Sequence, residues 1–160
     1  MDFHEVEIGL PDGGKAYWDL IHHSGGAAVI PVDEDGRIIF VRQYRVGADR
    51  KLLEIPAGKS EQGEEPLTTI RREMEEEIGY VSDEIEKLMD FYPAPAYSEE
   101  KTVIFLARNL KKTEARPDFD EFVEIETYSL SESLQMIRDG RIVDGKTIAG
   151  ILMLANTGIL

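Results

Sequence analysis

Glu64, Arg72, Glu73, Glu76 and Glu77 fall within one stretch of the chain that Gly58 opens and Gly79 closes. Carboxylates supply the hard oxygen ligands that Mg2+ and Mn2+ prefer. Behind a glycine-led loop, such a set can hold divalent cations against a diphosphate, activate a bound water and stabilise charge on a leaving phosphate. The same composition also describes a solvated helix face, and Glu75-Glu76-Glu77 alone does not separate the two readings. The spacing does: Gly58, five residues, Glu64, seven residues, then Arg72-Glu73-Met74-Glu75-Glu76-Glu77-Ile78-Gly79-Tyr80.

A helix must carry these groups. Pro66 suits a first helical turn, where its missing N–H is not needed, and Gly79 suits the stop. Leu67, Ile70, Met74 and Ile78 recur at helical spacing and predict a buried stripe. At about 100° per residue, Glu73, Glu76 and Glu77 occupy an arc of roughly 100° beside that stripe. Crowded like charges destabilise a helix, and a hard cation removes the repulsion. Arg72 is placed to pair with Glu64 across loop and helix, pinning the loop to the acidic face.

The spaced pattern resembles the signature of the Nudix hydrolases, G-x5-E-x7-R-E-U-x-E-E-x-G-U, with U a bulky apolar residue. Every fixed position is filled, and Tyr80 is aromatic where an aliphatic residue is usual. The flanks are similar to the ADP-ribose pyrophosphatase branch: Phe40-Val41-Arg42-Gln43-Tyr44-Arg45, Leu53-Glu54-Ile55-Pro56-Ala57-Gly58, Phe105-Leu106-Ala107, and Pro95, fifteen residues beyond Tyr80. The likeness runs from about Ile21 to Val143. It implies a Nudix-type α/β/α sandwich, of the α+β class, with a mixed β-sheet and an N-terminal β-hairpin. It implies Mg2+ or Mn2+ held chiefly by Glu73 and Glu77, with Glu76 close by and the carbonyl of Ala57 completing the shell.

The resemblance further implies that Arg45 meets the substrate phosphates, where its plainer reading is an exposed arginine at a strand end. Glu54 would contact substrate or the partner subunit. A later loop, Arg116-Pro117-Asp118-Phe119-Asp120-Glu121, would supply the general base, with Glu121 first choice and Asp120 next. Ser24-Gly25-Gly26 stands where the branch more often has Pro-Gly, and Tyr17-Trp18 replaces a more basic pair, which puts an upstream phosphate-binding arginine in doubt. Trp18 or Tyr17 could stack on adenine, although an aromatic on a strand more often serves core or interface. The implied activity is metal-dependent hydrolysis of ADP-ribose or a related nucleoside diphosphate sugar. Another nucleotide sugar such as GDP-mannose, a dinucleotide, or a non-catalytic nucleotide-binding domain are the alternatives. The resemblance also implies a homodimer in which the N-terminal hairpin contributes to the partner's substrate pocket.

Other features narrow the class. At 160 residues and 42% hydrophobic content the chain suits one domain, 1–160, with 1–23 as the hairpin and expected dimerisation element. There is no cysteine, so disulfides and Cys-based zinc sites are excluded. A net charge of −14 argues against unspecific nucleic-acid binding. His4, His22 and His23 show no zinc pattern, and the Gly-Lys-Ser and Gly-Lys-Thr sequences at 58–60 and 145–147 are not read as a P-loop phosphate cradle. The start lacks a signal-peptide pattern, and the apolar stretch Thr147–Leu160 is too short to span a bilayer, so a soluble, cytoplasmic protein is expected.

Alternation predicts strands at Phe3–Ile8 and Ala16–His22 around a Pro11–Gly14 turn, then Gly26–Val32 and Ile38–Gln43 around Asp33–Gly36. The apolar run Ala27–Ile30 predicts a strand covered on both faces. Lys51–Ile55 predicts a short strand entering a Pro56-Ala57-Gly58 bend. Further strands are expected near Lys87–Tyr92, Thr102–Ala107 and Phe122–Tyr128, and helices at Ser131–Asp139, capped by Ser131, and Lys146–Asn156.

Overall fold

A computed structural model describes residues 2–115 and 123–159. Strand β3 (Gly26–Pro31) is buried along its whole length and organises the molecule. It pairs in parallel with β9 (Thr102–Arg108) and antiparallel with β6 (Ala57–Lys59), while β8 (Glu84–Phe91) closes the far edge of β9. The result is a mixed four-stranded sheet in the order β6-β3-β9-β8.

Side chains on β3 alternate between two cores. Ala28 and Ile30 join Phe40, Ile104 and Leu106 beneath helices α2 (Leu130–Arg138) and α3 (Gly145–Thr157), through Met136, Ile151 and Leu154. Ala27 and Val29 join Ile39, Val41 and Phe105 beneath helix α1 (Pro66–Ile78), through Ile70, Met74 and Ile78. Helices therefore cover both faces, which is the expected α/β/α sandwich and explains the unbroken apolar run of β3.

One topological feature departs from the single mixed sheet the sequence predicts. Strand β4 (Ile38–Arg45) follows β3 through the tight Asp33–Gly36 turn, yet the two share only the Val32–Ile38 bridge. Both edges of β3 are already taken by β6 and β9. β4 diverges instead to pair with β5 (Arg50–Glu54) and β11 (Glu124–Tyr128), making a second, antiparallel sheet. A 3-10 turn at Val46–Ala48 joins β4 to β5. A two-stranded ladder of β7 (Tyr80–Val81) and β10 (Lys111–Lys112), unforeseen in the sequence, ties the end of α1 to the chain after β9.

The N-terminal hairpin forms as expected, with β1 (Asp2–Gly9) and β2 (Lys15–His22) paired in register from Asp2–His22 to Gly9–Lys15. It is attached to the body through β2: Ile21 donates its N–H to Tyr97 O at 2.8 Å and accepts from Glu99 N at 3.1 Å. Phe3, Tyr17 and Trp18 are exposed on it.

The cap of α2 differs from expectation. Ser129, not Ser131, occupies the N-cap: its Oγ accepts from Glu132 N at 3.2 Å, and the Glu132 carboxylate accepts from Ser129 N at 2.7 Å. The reciprocal box needs the glutamate three residues after the cap, and only Ser129 has it. Ser129→Ala should lower the unfolding free energy by about 1 kcal/mol, read as a shift in denaturant midpoint with unchanged slope.

Candidate active site

Helix α1 presents its acids as the periodicity requires, with one change. Leu67 is 39% exposed and leaves the stripe, and Thr69 is buried in its place. Its hydroxyl lies 2.9 Å from Ser60 Oγ and from Glu64 Oε2. A polar residue therefore fastens the loop to the helix where an apolar one was expected. The helix ends at Gly79, with φ +68° and its N–H on Glu75 O at 3.1 Å, a left-handed cap that suits glycine.

Glu73 and Glu77 lie on the buried side of α1, and Glu76 is half-buried. Arg72 sits among the carboxylates, with Nη1 2.8 Å from Glu73 and 2.9 Å from Glu76, and Nη2 3.7 Å from Glu64. The expected Arg72–Glu64 pairing is present but is the longest of the three. Glu77 Oε2 accepts from Ala57 N at 3.2 Å, which brings the loop preceding Gly58 against the helix.

Gly58 is required by close approach. A Cβ built there would lie 1.9 Å from Glu73 Oε1 and 2.0 Å from its Cδ. The carboxylate thus occupies the space of a missing side chain. Electrostatics follow this packing. The Glu61 backbone N–H holds the Glu64 carboxyl below its usual range; burial opposes this, and Thr69 and Arg72 add to it. Burial disfavours the charged Arg72 guanidinium, but the neighbouring glutamates outweigh that and raise its pKa.

The donor set suits a hard divalent cation: Glu73, Glu76 and Glu77 offer only oxygen, backed by the loop at Ala57. Arg72 supplies compensating charge among them, with its Nε buried and without a hydrogen-bond acceptor. Among the described residues, no three acidic or histidine side chains already surround one point as a finished metal cage.

Beside Gly58 opens a cavity of about 270 Å³, lined by Ala57, Arg45, Lys146, Lys59, His23 and Glu100 among others. Arg45 is not a free strand-end arginine. Its Nε and Nη2 bind the two oxygens of Glu54 at 2.8 and 2.7 Å. Glu54 is 1% exposed and also pairs with Lys146, so its carboxylate is engaged with two cations of its own chain. Burial pushes the Glu54 carboxyl up, but Arg45 and Lys146 outweigh it and hold the group ionised below its usual range.

Trp18 is exposed on β2, and Pro95 begins an exposed turn, Pro95–Tyr97, whose Ala94 O accepts from Ser98 N at 3.0 Å. Neither lines the Arg45 cavity. Glu121 and Asp120 lie outside the described residues. The site residues that the sequence did not reveal are Gln43, whose amide reaches Glu77 at 3.4 Å, and Lys146. Lys146 had a faint signal in the cap-forming Asp144 two residues before it.

This arrangement defines a class: a glutamate-rich helix locked to a glycine loop beside a cation-lined cavity, on an α/β/α sandwich. A family profile described as NUDIX domain matches residues 22–149. An ADP-ribose pyrophosphatase from Bacillus subtilis (strain 168) is 37% identical over 156 residues, covering 96% of this chain and 84% of that protein. A methanol dehydrogenase activator from Bacillus methanolicus is 38% identical over 150 residues, covering 92% and 81%. A crystal structure of an ADP compounds hydrolase superposes with a TM-score of 0.82 at 21% identity, covering 95% of this chain and 83% of that one, and so shares the fold. The chain belongs to the NUDIX domain family.

Proposed function

We propose that the protein hydrolyses the pyrophosphate bond of ADP-ribose, releasing AMP and ribose 5-phosphate. The observation that carries this is the juxtaposition of Glu73 and Glu77, packed on the Gly58 loop, with a cavity lined by Arg45 and Lys146. The similarity to an ADP-ribose pyrophosphatase over nearly the whole chain supports the choice of substrate.

Glu73, Glu76, Glu77 and the Ala57 carbonyl would hold Mg2+ or Mn2+, and Glu73 and Glu76 are the two of these that contact Arg72. Such ions supply a water of lowered pKa and charge stabilisation at the leaving phosphate. The chain's own groups do the rest. Arg45 binds phosphate oxygens, Arg72 and Glu64 keep the loop on the helix, and a carboxylate such as Glu121 takes the proton of the attacking water. A bond forms from the water oxygen to one phosphorus as the bond from that phosphorus to the bridging oxygen breaks. The bridging oxygen leaves with the second phosphate.

The exposed hairpin, with Phe3, Tyr17 and Trp18 outward, supports homodimerisation as the place where those side chains find cover, and Trp18 as an adenine-stacking residue supplied there. No helix among the described residues is long and apolar enough to cross a membrane.

The test is a panel of ADP-ribose, GDP-mannose, dinucleotides and other nucleotide sugars incubated with Mg2+ and resolved by chromatography. ADP-ribose should show the highest kcat/KM and yield equal amounts of AMP and ribose 5-phosphate. A higher value for GDP-mannose would reassign the substrate, and no turnover of any compound would leave a binding domain.

A further inference from the structure

Lys146 stands on the first turn of α3 and lines the cavity beside Gly58, outside every motif of the glutamate helix. Its ammonium is held between Glu54 and Asp144, the latter at 3.1 Å. Asp144 also caps α3 through Thr147 N at 2.9 Å, and Thr147 Oγ1 accepts the Ile55 N–H at 3.0 Å. The lysine is thereby anchored to the strand end that leads into Pro56-Ala57-Gly58.

The buried Glu54 carboxylate answers two cations. Arg45 reaches it through Nε and Nη2, so the Nη1 edge of the fork lies outside that pair. A charge at 1% exposure demands compensation. With Lys146 sharing it, Arg45 stays poised over the cavity. Without Lys146, Glu54 would have Arg45 as its remaining partner here and would draw the guanidinium inward.

We propose that Lys146 is a positioning residue for Arg45: through the shared Glu54 carboxylate it holds the guanidinium in place at the cavity wall, setting affinity for the substrate's diphosphate and not the rate of bond cleavage. This rests on reading the cavity as the diphosphate subsite of the hydrolase proposed above.

The experiment compares K146M, K146R, E54Q and E54Q/K146M with the parent, each first checked for folding by circular dichroism. Weakening one charge-assisted contact to phosphate should raise KM for ADP-ribose about 10-fold in K146M, with kcat within about 3-fold of the parent. K146R, which keeps the charge, should recover KM to within about 3-fold. With the carboxylate neutralised in E54Q, adding K146M should change KM less than about 2-fold, because Lys146 acts through Glu54. Should K146M fail to fold, K146Q replaces it in both arms.

A folded K146M with parental KM overturns the proposal. So does a KM effect that persists undiminished in the E54Q background, since Lys146 would then touch substrate itself. Affinity for inorganic pyrophosphate, measured by calorimetry on the same proteins, should fall about 10-fold in K146M. An unchanged affinity defeats the role of Lys146 whichever substrate is hydrolysed. Absence of ADP-ribose hydrolysis by the parent defeats only the choice of substrate.

Discussion

Replacing Glu77 with Gln should abolish nearly all turnover, lowering kcat by about 10³-fold or more at saturating Mg2+, the result expected if Glu77 is a ligand of the proposed metal. The substitution is nearly isosteric, and the amide oxygen can still accept the Ala57 N–H that Glu77 Oε2 accepts at 3.2 Å. The variant should therefore fold, with a thermal midpoint within a few degrees of the parent. The decisive measurements are AMP release and the change of that midpoint on adding Mg2+. A ligand that binds only the folded state raises the parent's midpoint by an amount that grows with the logarithm of its concentration over Kd, and Glu77→Gln should lose most of the increase. Near-native turnover together with an undiminished Mg2+ shift would remove Glu77 from the ligand set.

Gly58→Ala should separate activity from stability. The added methyl group falls 1.9 Å from Glu73 Oε1, far inside contact distance, so one of the two must move. The obstructing atoms are the end of a glutamate side chain, which swings away more readily than backbone. Stability should fall by only about 1–2 kcal/mol. A displaced Glu73 at the proposed metal site is another matter: an error of about 1 Å at a reacting centre costs on the order of 100-fold in kcat/KM. Denaturant titration and the ADP-ribose assay on one preparation would test both halves. Parental activity would show that the packing of Glu73 on Gly58 is not the productive position.

The two substitutions probe features of unequal visibility in the sequence. Helix α1 was readable because its period, its Pro66 start and its Gly79 stop are local properties, and the carboxylate arc follows from 3.6 residues per turn. The burial of β3 on both faces was equally plain, since its run of apolar residues has no polar alternation to place in water. Leu67 failed the pattern because it lies on the first turn, at the margin of the stripe, where Thr69 can bury its hydroxyl against Ser60 and Glu64. Ser131 lost the cap to Ser129 because reciprocal bonding selects the residue three before Glu132. The division into two sheets was hidden because strand neighbours depend on which edges are occupied by remote segments.

By itself the sequence determined the chemistry on offer: a set of carboxylates with only oxygen to give a cation, their helix, and the glycine that opens the loop beside them. Those are properties of spacing within about twenty residues, where backbone geometry converts order directly into position. The tertiary structure decided what each group faces. It joined Arg45, Glu54 and Lys146, which are 9 and 92 residues apart along the chain, into one ion network. It also placed Glu73 in the space that Gly58 leaves empty. Such contacts form only when separate elements pack, because burial, not sequence proximity, forces a carboxylate to find its cations.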